Sequence, residues 1–326
     1  MRVFITGIAG FIGSHLADRL LGDGAEVWGC DTFEQYHPEY TSERKRINVT
    51  HNMSNPKYNL IEGDFAGEEV THTILTTGFD FIIHLAAHAG VRPSLEDPEK
   101  YYQNNLIKSL SLLKAIERSP YRWRIKFIFA SSSSVYGGVK DLPWREDMNV
   151  SQPLSPYAGS KKALEEVCYM YHKLTDIPML GLRFFTVYGP RQRPDMAIAK
   201  FTKAIDEGTP IQVYGYKGDS FRDYTYIDDI IEGIVRCISD VEGYEIYNIG
   251  RGEPVELHEM LAEIGLHMGK IPAVEEVPVK EGEPTTTHAS LDKIKEKHGY
   301  VPEVPYQEGI QRYVEWYGKI KKHGLL

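Results

Sequence analysis

The sequence of 326 residues predicts an α/β protein, a doubly wound parallel sheet with a smaller, mixed α/β lobe. Three observations predict it. Through the first 190 residues short β-branched runs alternate with longer helical stretches, the pattern of right-handed crossovers and a sheet covered on both faces. A glycine-spaced turn, Gly7–Gly13, separates the first strand from its helix. Beyond residue 190 the alternation stops, segments shorten, and turn pairs such as Gly189-Pro190 and Thr209-Pro210 become frequent.

The elements follow in order. Arg2–Thr6 reads as the first strand and Phe11–Asp23 as a helix carrying the apolar residues Leu16, Leu20 and Leu21. Ala25–Cys30 reads as the second strand, which ends at Asp31. Tyr58–Glu62, Phe79–Leu85, Ile125–Ala130 and Pro178–Phe185 read as later strands, with helices between them that include Tyr101–Glu117 and Pro156–Leu174. Phe81–Leu85 and Ile125–Ala130 are near-continuous apolar runs, as strands buried on both faces should be. Ile246–Ile249 is a short strand again, so the chain is expected to return to the main sheet near residues 244–250. The expected division is residues 1–190 with that return strand, and residues 191–326 as an interleaved second lobe.

Composition narrows the function classes. A hydrophobic fraction of 42% and a charged fraction of 25% are ordinary globular values and exclude disorder or coiled coil as the main architecture. The net charge of −9 repels phosphate backbones, which argues against a nucleic-acid partner. An anionic small substrate would need a local arginine or lysine pocket. Three scattered cysteines and twelve histidines without a ligand spacing suggest neither a disulfide framework nor a metal site. No run reaches the ~18 apolar residues that a membrane span needs, and the chain opens directly into the Val3–Ile5 strand. A cytoplasmic protein without a membrane partner is expected.

Glycines at 7, 10 and 13 allow a tight turn and let backbone N–H groups approach a pyrophosphate at a helix N-terminus. Asp31 stands where an acidic side chain would hydrogen-bond the ribose hydroxyls of NAD, and its charge disfavours a 2′-phosphate. Asp64 and Phe65, after the next strand, suit an adenine rim. The first lobe therefore reads as a Rossmann-type, NAD-binding domain. Tyr157 and Lys161 lie one helical turn apart on the same face, after Ser155-Pro156 at a helix start. A lysine ammonium and a positive nicotinamide ring both lower a tyrosine pKa from ~10 toward a useful base. The run Ser131–Ser134 sits about 25 residues upstream.

The glycine spacing together with Tyr157–Lys161 (YAGSK) resembles the extended short-chain dehydrogenase/reductase family. His84–Ser94 (HLAAHAGVRPS), Ser131–Gly137 (SSSSVYG), Gly181–Pro190 (GLRFFTVYGP) and Arg222–Asp229 (RDYTYIDD) are similar to the nucleotide-sugar 4-epimerases. Arg191–Ala197 (RQRPDMA) resembles the UDP-glucuronate 4-epimerase branch in particular. The resemblance covers nearly the whole chain. It implies NAD-dependent epimerisation at C4 of a UDP-sugar through a 4-keto intermediate. Tyr157 would be the base, Lys161 its partner, and Ser132 would share the reacting oxygen. It extends the cofactor set to Phe11, Ile12, Leu85, Ala86, Ala87 and Asn104. Arg193 is expected to bind a C6 carboxylate, with Thr186 in support and Arg92 as a second candidate. Arg222 would grip the diphosphate, while Val213 and Tyr214 would meet the uracil. Near the ribose, Lys280 and Glu283 depart from the arginine and aspartate of relatives.

Ser133 and Ser134 stand where dehydrating and decarboxylating relatives carry acidic residues. Serines cannot supply that acid–base chemistry, which favours simple epimerisation. The alternatives are a 4-epimerase for UDP-glucose or UDP-N-acetylglucosamine, a UDP-glucuronate decarboxylase, and a non-catalytic NAD-binding protein. The Asp228-Asp229 pair reads as an N-cap and first-turn acid rather than a metal or acid–base dyad. Helices Tyr101–Glu117 and Pro156–Leu174 correspond to those that pair in the family's dimers, so a homodimer is expected.

Overall fold

A computed structural model describes residues 1–35, 40–214, 218, 220–277 and 285–324. The chain divides into two compact units. The first comprises Met1–Val139, Glu146–Phe184 and Ile234–Tyr247, and the second Lys140–Arg145, Phe185–Gly233 and Asn248–Leu326.

The sheet of the first unit is built from β1 (Arg2–Thr6), β2 (Glu26–Asp31), β3 (Tyr58–Glu62), β4 (Phe81–His84), β5 (Lys126–Ser132), β6 (Met179–Phe184) and β7 (Tyr244–Ile249). Its order is β7-β6-β5-β4-β1-β2-β3. The pairings of β1 with β2 and β4, of β2 with β3, of β4 with β5 and of β5 with β6 are all parallel. Strand order reverses between β1 and β4, and such a switch point opens a crevice at the carboxyl ends of the strands. Every residue of β4 and β6 is buried, which explains their near-continuous apolar sequences.

The helices that pack on this sheet include α1 (Phe11–Gly22), α2 (Lys108–Arg118) and α3 (Pro156–Thr175). Phe4, Ile82, Phe127 and Phe129 of the sheet form one core with Leu112, Leu113 and Ile116 of α2 and with Leu164 and Cys168 of α3. Each such aliphatic or aromatic side chain contributes about 1.5–3 kcal/mol when buried. Ser155 caps α3 by accepting from the Ala158 N–H, and Pro156 occupies the first turn. The helix stops at Asp176 in the left-handed region.

One expected element differs. The helix read over Tyr101–Glu117 is a short helix, Pro98–Tyr102, a π-helical turn over Gln103–Ile107, and then α2. Asn105 accounts for the wide turn. Its amide accepts from the His88 N–H at 2.8 Å and donates to the His88 carbonyl at 2.9 Å. The same amide nitrogen lies 3.1 Å from the Ser160 hydroxyl, so the backbone accommodates a side chain tied to two other segments.

Among the described residues, the second unit holds three two-stranded pairs. Thr186–Tyr188 runs parallel to Tyr224–Tyr226, Phe221–Arg222 antiparallel to Val255–Glu256, and Ile211–Tyr214 parallel to Val274–Val277. Asp223, wholly buried, joins three segments of this unit. It accepts from the Arg251 N–H at 2.7 Å, the Gly252 N–H at 2.9 Å, the Ala289 N–H at 3.1 Å and the Thr225 hydroxyl at 3.1 Å. Burial raises its carboxyl above the usual range despite these four donors. Trp144, in the short 140–145 segment, also belongs here: its N–H donates to the His288 carbonyl at 2.8 Å.

Candidate active site

The turn between β1 and α1 is shaped for close approach by a ligand. Gly7 has φ of +72°, and a Cβ there would lie 2.9 Å from the Ala86 Cα. A Cβ on Gly13 would fall 2.2 Å from the Gly7 carbonyl oxygen. Gly10 is the N-cap of α1 and supplies no side-chain cap, and the first turn, which begins at Phe11 and Ile12, holds no acidic residue. The amides there are thus left to an anion, with the helix dipole in favour. Asn48 steadies the turn by donating to the Ala9 carbonyl at 3.0 Å.

At the end of β2, Asp31 accepts from the Phe33 N–H at 2.8 Å, and Lys45 Nζ stands 3.4 Å from the same oxygen. That buried lysine was not visible in the motif. Asp64 accepts from the Ala66 N–H at 2.9 Å and pairs with Lys108 at 2.5 Å, while Phe65 is buried edge-on to His84. Leu85, Ala86 and Ala87 follow β4, and the Ala86 N–H donates to the Thr6 hydroxyl at 3.1 Å. Beneath them His84 bridges Thr6 at 2.7 Å and Ser109 at 2.9 Å, and burial pushes its imidazole down to about 3. Asn104 is half-buried and donates to Asn105 at 3.1 Å; the residue that ties segments together is its neighbour. An uncapped helix end, a glycine cradle and an acidic strand end fit a dinucleotide.

The catalytic candidates also lie in the first unit. Ser132 ends β5, and its hydroxyl accepts from the Ser134 N–H at 3.2 Å and the Ser134 hydroxyl at 2.9 Å. Ser133 and Ser134 are half-buried in the turn that follows. Tyr157 is half-buried at the start of α3, its ring edge-on to Tyr101 at 6.2 Å. Lys161, one turn on, is 3% exposed and donates to the Ala130 carbonyl at 2.8 Å. Burial lowers its ammonium to about 8, while Cys168 and Glu165 pull the other way. The bond to Ala130 joins α3 to β5 two residues before Ser132. Arg92 is exposed on the short helix Val91–Glu96.

Three expectations for the second unit change. Arg193 is not an open guanidinium: its Nε lies 2.8 Å from Asp195 and its Nη2 pairs with the other carboxylate oxygen, both side chains being 12% exposed. A substrate carboxylate would have to use another edge. The Val213 side chain is buried in the core at 1% exposure, so a base would meet the backbone of this strand and not that side chain. Asp228 and Asp229 are first-turn acids of the helix Ile227–Ile238, as expected, but neither stands at its N-cap. Asp229 accepts from the Glu303 and Val304 N–H groups at 2.8 and 3.2 Å, and Asp228 pairs with Arg312 at 3.1 Å.

Thr186 is half-buried on its strand, and its N–H donates to the Asp223 carbonyl at 3.1 Å. Arg222 donates through Nη1 to the Phe221 carbonyl at 3.0 Å and to the Thr285 carbonyl. Tyr214 ends the strand Ile211–Tyr214. Lys280 and Glu283 lie outside the described residues.

The motifs also passed over Glu165 and Arg183. The signal was present, since an arginine inside the apolar run of β6 demands a buried carboxylate. Among the described residues no group of three or more histidines, cysteines, aspartates or glutamates could hold a metal. No helix among them is long and apolar enough to cross a membrane.

Comparison with known proteins shows the family of the chain. Residues 3–250 match the model of the NAD dependent epimerase/dehydratase family. A UDP-glucuronate 4-epimerase of Thermodesulfobacterium geofontis is 37% identical, over 96% of this chain and 94% of that one. The crystal structure of UDP-glucuronic acid 4-epimerase from Bacillus cereus with UDP-glucuronic acid and NAD aligns with a TM-score of 0.90 at 34% identity, covering 98% of this chain and 100% of that one. The UDP-glucose 4-epimerase of Thermus thermophilus in complex with NAD aligns at 0.83 and 32% identity, over 98% and 99% of the two chains.

Proposed function

Because this chain belongs to the NAD dependent epimerase/dehydratase family, we propose that it is an isomerase that inverts C4 of a UDP-sugar, with UDP-glucuronate and UDP-galacturonate as the interconverted pair. The observation that carries the reading is the half-buried Tyr157 one helical turn before a buried Lys161 that is bonded to the strand end bearing Ser132. The Gly7–Gly13 turn and Asp31 would hold NAD, which would supply the hydride acceptor and donor for C4.

The chain's own residues move the proton and hold the parts. Tyr157 takes the proton of the C4 hydroxyl and returns it after inversion. Lys161 favours the tyrosinate by charge, and Ser132 shares a hydrogen bond with the same sugar oxygen. The Gly7–Gly13 turn and the first amides of α1 hold the pyrophosphate, Asp31 the ribose, and Asp64 and Phe65 the adenine side; Leu85–Ala87 and Asn104 complete the set. Arg222 is assigned to the diphosphate of the sugar nucleotide, and the strand bearing Val213 and Tyr214, with Glu283, to its nucleoside end.

Thr186 and Arg193 are assigned to the C6 carboxylate, with Arg92 and the serines 133 and 134 as further sugar contacts. A 4-keto uronate is a β-keto acid, so its carboxylate must be kept from aligning its C–C bond with the carbonyl. A fixed guanidinium can do that, and Asp195 fixes this one. The exposed apolar stripe on the helical segments of the first unit supports a homodimer, and three buried free thiols suit a reducing cytoplasm.

Incubation with UDP-glucuronate, UDP-glucose and UDP-N-acetylglucosamine, with C4 configuration read by proton NMR, tests the reading. Turnover is expected to be fastest with the uronate. Tyr157→Phe is expected to lose on the order of 10²–10⁴ in rate while retaining NAD. Preference for a neutral sugar sinks the substrate assignment, and undiminished turnover by Tyr157→Phe sinks the chemistry.

A further inference from the structure

One turn beyond Lys161 on α3, Glu165 joins Arg183 of β6 and Ser131 of β5 in a buried charged cluster. The Glu165 carboxylate, 1% exposed, receives Arg183 in a bidentate fork, Nε and Nη2 each at 2.9 Å. The Ser131 hydroxyl donates to the same carboxylate at 2.6 Å, and Lys162 Nζ approaches it at 3.6 Å. The backbone carbonyl of Glu165 is also taken, by the Tyr244 hydroxyl of β7 at 2.8 Å. Tyr136, in the turn after Ser132, lies under the Arg183 guanidinium with 4.9 Å to its ring centre.

Stability alone explains this cluster poorly. Replacing a buried ion pair by packed apolar side chains is often neutral or stabilising, and the surroundings here are otherwise an apolar core. Its position is more informative. Glu165 follows Lys161 by four residues, which puts both side chains on one face of α3. Ser131, its third partner, immediately precedes Ser132.

We propose that Glu165 is a positioning residue for the reaction: through Ser131 it fixes the strand end that presents Ser132, and along α3 it supplies the standing negative charge for the buried Lys161 ammonium, with Arg183 clamping its carboxylate in place. The role of Glu165 in turnover rests on the reading of Tyr157 as the base; its effect on the Lys161 charge does not.

The surroundings of Lys161 leave this task to Glu165. On its own helix, burial lifts the Cys168 thiol well above its ordinary value, so that group is neutral near pH 7. Lys162 is a cation that pairs with Glu166 at 2.6 Å. From β4, His84 is buried and uncharged. From β6, Arg183 is a cation whose charged form is favoured because the Glu165 bonds outweigh its burial. From β7, burial raises the Tyr244 hydroxyl, so it too is neutral. Glu165 is the carboxylate of the cluster.

The experiment follows the titration of Lys161 itself, by the isotope-labelled lysine Cε resonance that disappears in Lys161→Met, alongside the pH profile of turnover. In Glu165→Gln the midpoint of Lys161 is expected to fall by about one pH unit, and the alkaline limb of turnover to move with it. Glu165→Asp, which keeps the charge, is expected to restore the midpoint. Should Glu165→Gln fail to fold, the double variant Glu165→Gln/Arg183→Met removes the pair together and is expected to show a smaller downward displacement, because the repelling Arg183 cation leaves with the carboxylate. A midpoint that stays at the wild-type pH in the folded variant overturns the inference, as does a rate loss uniform across pH. A moving midpoint in a protein that turns over no UDP-sugar defeats the enzymatic reading alone.

Discussion

Lys161 shows the tension between stability and chemistry at the scale of one residue. Its ammonium sits in the core with one carbonyl bond, and burial lowers it from an ordinary 10.5 to about 8. At neutral pH both the folded and unfolded chains carry this proton, and folding bears the cost of burying the charge, about 3 kcal/mol from the displacement. Between pH 8 and 10.5 the folded chain sheds the proton while the unfolded chain keeps it, so the penalty shrinks as pH rises. Above 10.5 it is gone. Lys161→Met is therefore expected to stabilise the protein at pH 7 by on the order of 1–3 kcal/mol, less the lost bond to Ala130, while abolishing most turnover. The advantage should fade by pH 10 in urea denaturation. A variant less stable than wild type at pH 7, or one whose advantage grows with pH, contradicts this account.

At the scale of elements, α1 holds two glycines, Gly13 and Gly22, that answer oppositely to the same substitution. Gly13→Ala would place a methyl 2.2 Å from a backbone oxygen, which no side-chain rotation relieves. The turn must open, and NADH affinity, measured by fluorescence titration, is expected to weaken at least about tenfold, or ~1.4 kcal/mol. Gly22→Ala, at the far end of the same helix, meets no atom within 4 Å. It should stabilise the helix by roughly 0.5–1 kcal/mol and leave NADH affinity alone. Equal affinity in the two variants would remove the turn from the cofactor site.

The same contrast explains what could be read from the chain before its structure. Local period and turn chemistry located β1 through β6, α1, α3 and the return of β7, with ends shifted by one or two residues. Tyr157, Lys161 and the glycines were legible because their chemistry depends on short spacings. Asn105, Lys45, Asp223 and the Glu165–Arg183 pair were not, since each acts on a partner brought close only by folding. The Asp195 fork on Arg193 is the exception. It is a local pair, two residues apart, and an arginine that suits a substrate carboxylate suits a neighbouring aspartate equally well.

On the scale of the whole molecule, a net charge of −9 keeps copies apart at long range, so association needs an apolar patch strong enough to act against it. The helical segments flanking the catalytic candidates supply exposed apolar side chains for one. Tyr102 and Ile107 before α2, and Met170 and Leu174 one turn apart on α3, are exposed, Leu174 at 73%. Large contiguous apolar surface is uncommon on a monomer, and facing copies of two helices can bury the standard area of about 1,600 Å². Sedimentation is expected to give twice the chain mass of 37.1 kDa. The double substitution Ile107→Glu/Met170→Glu puts like charges into that face and should yield a folded monomer at micromolar concentration. Because the charge added is on the surface, α2 and α3 keep their cores, and NADH binding should survive in the monomer. A wild-type chain that sediments as a monomer at every concentration, or a variant that remains dimeric, would show that these helices do not form the interface.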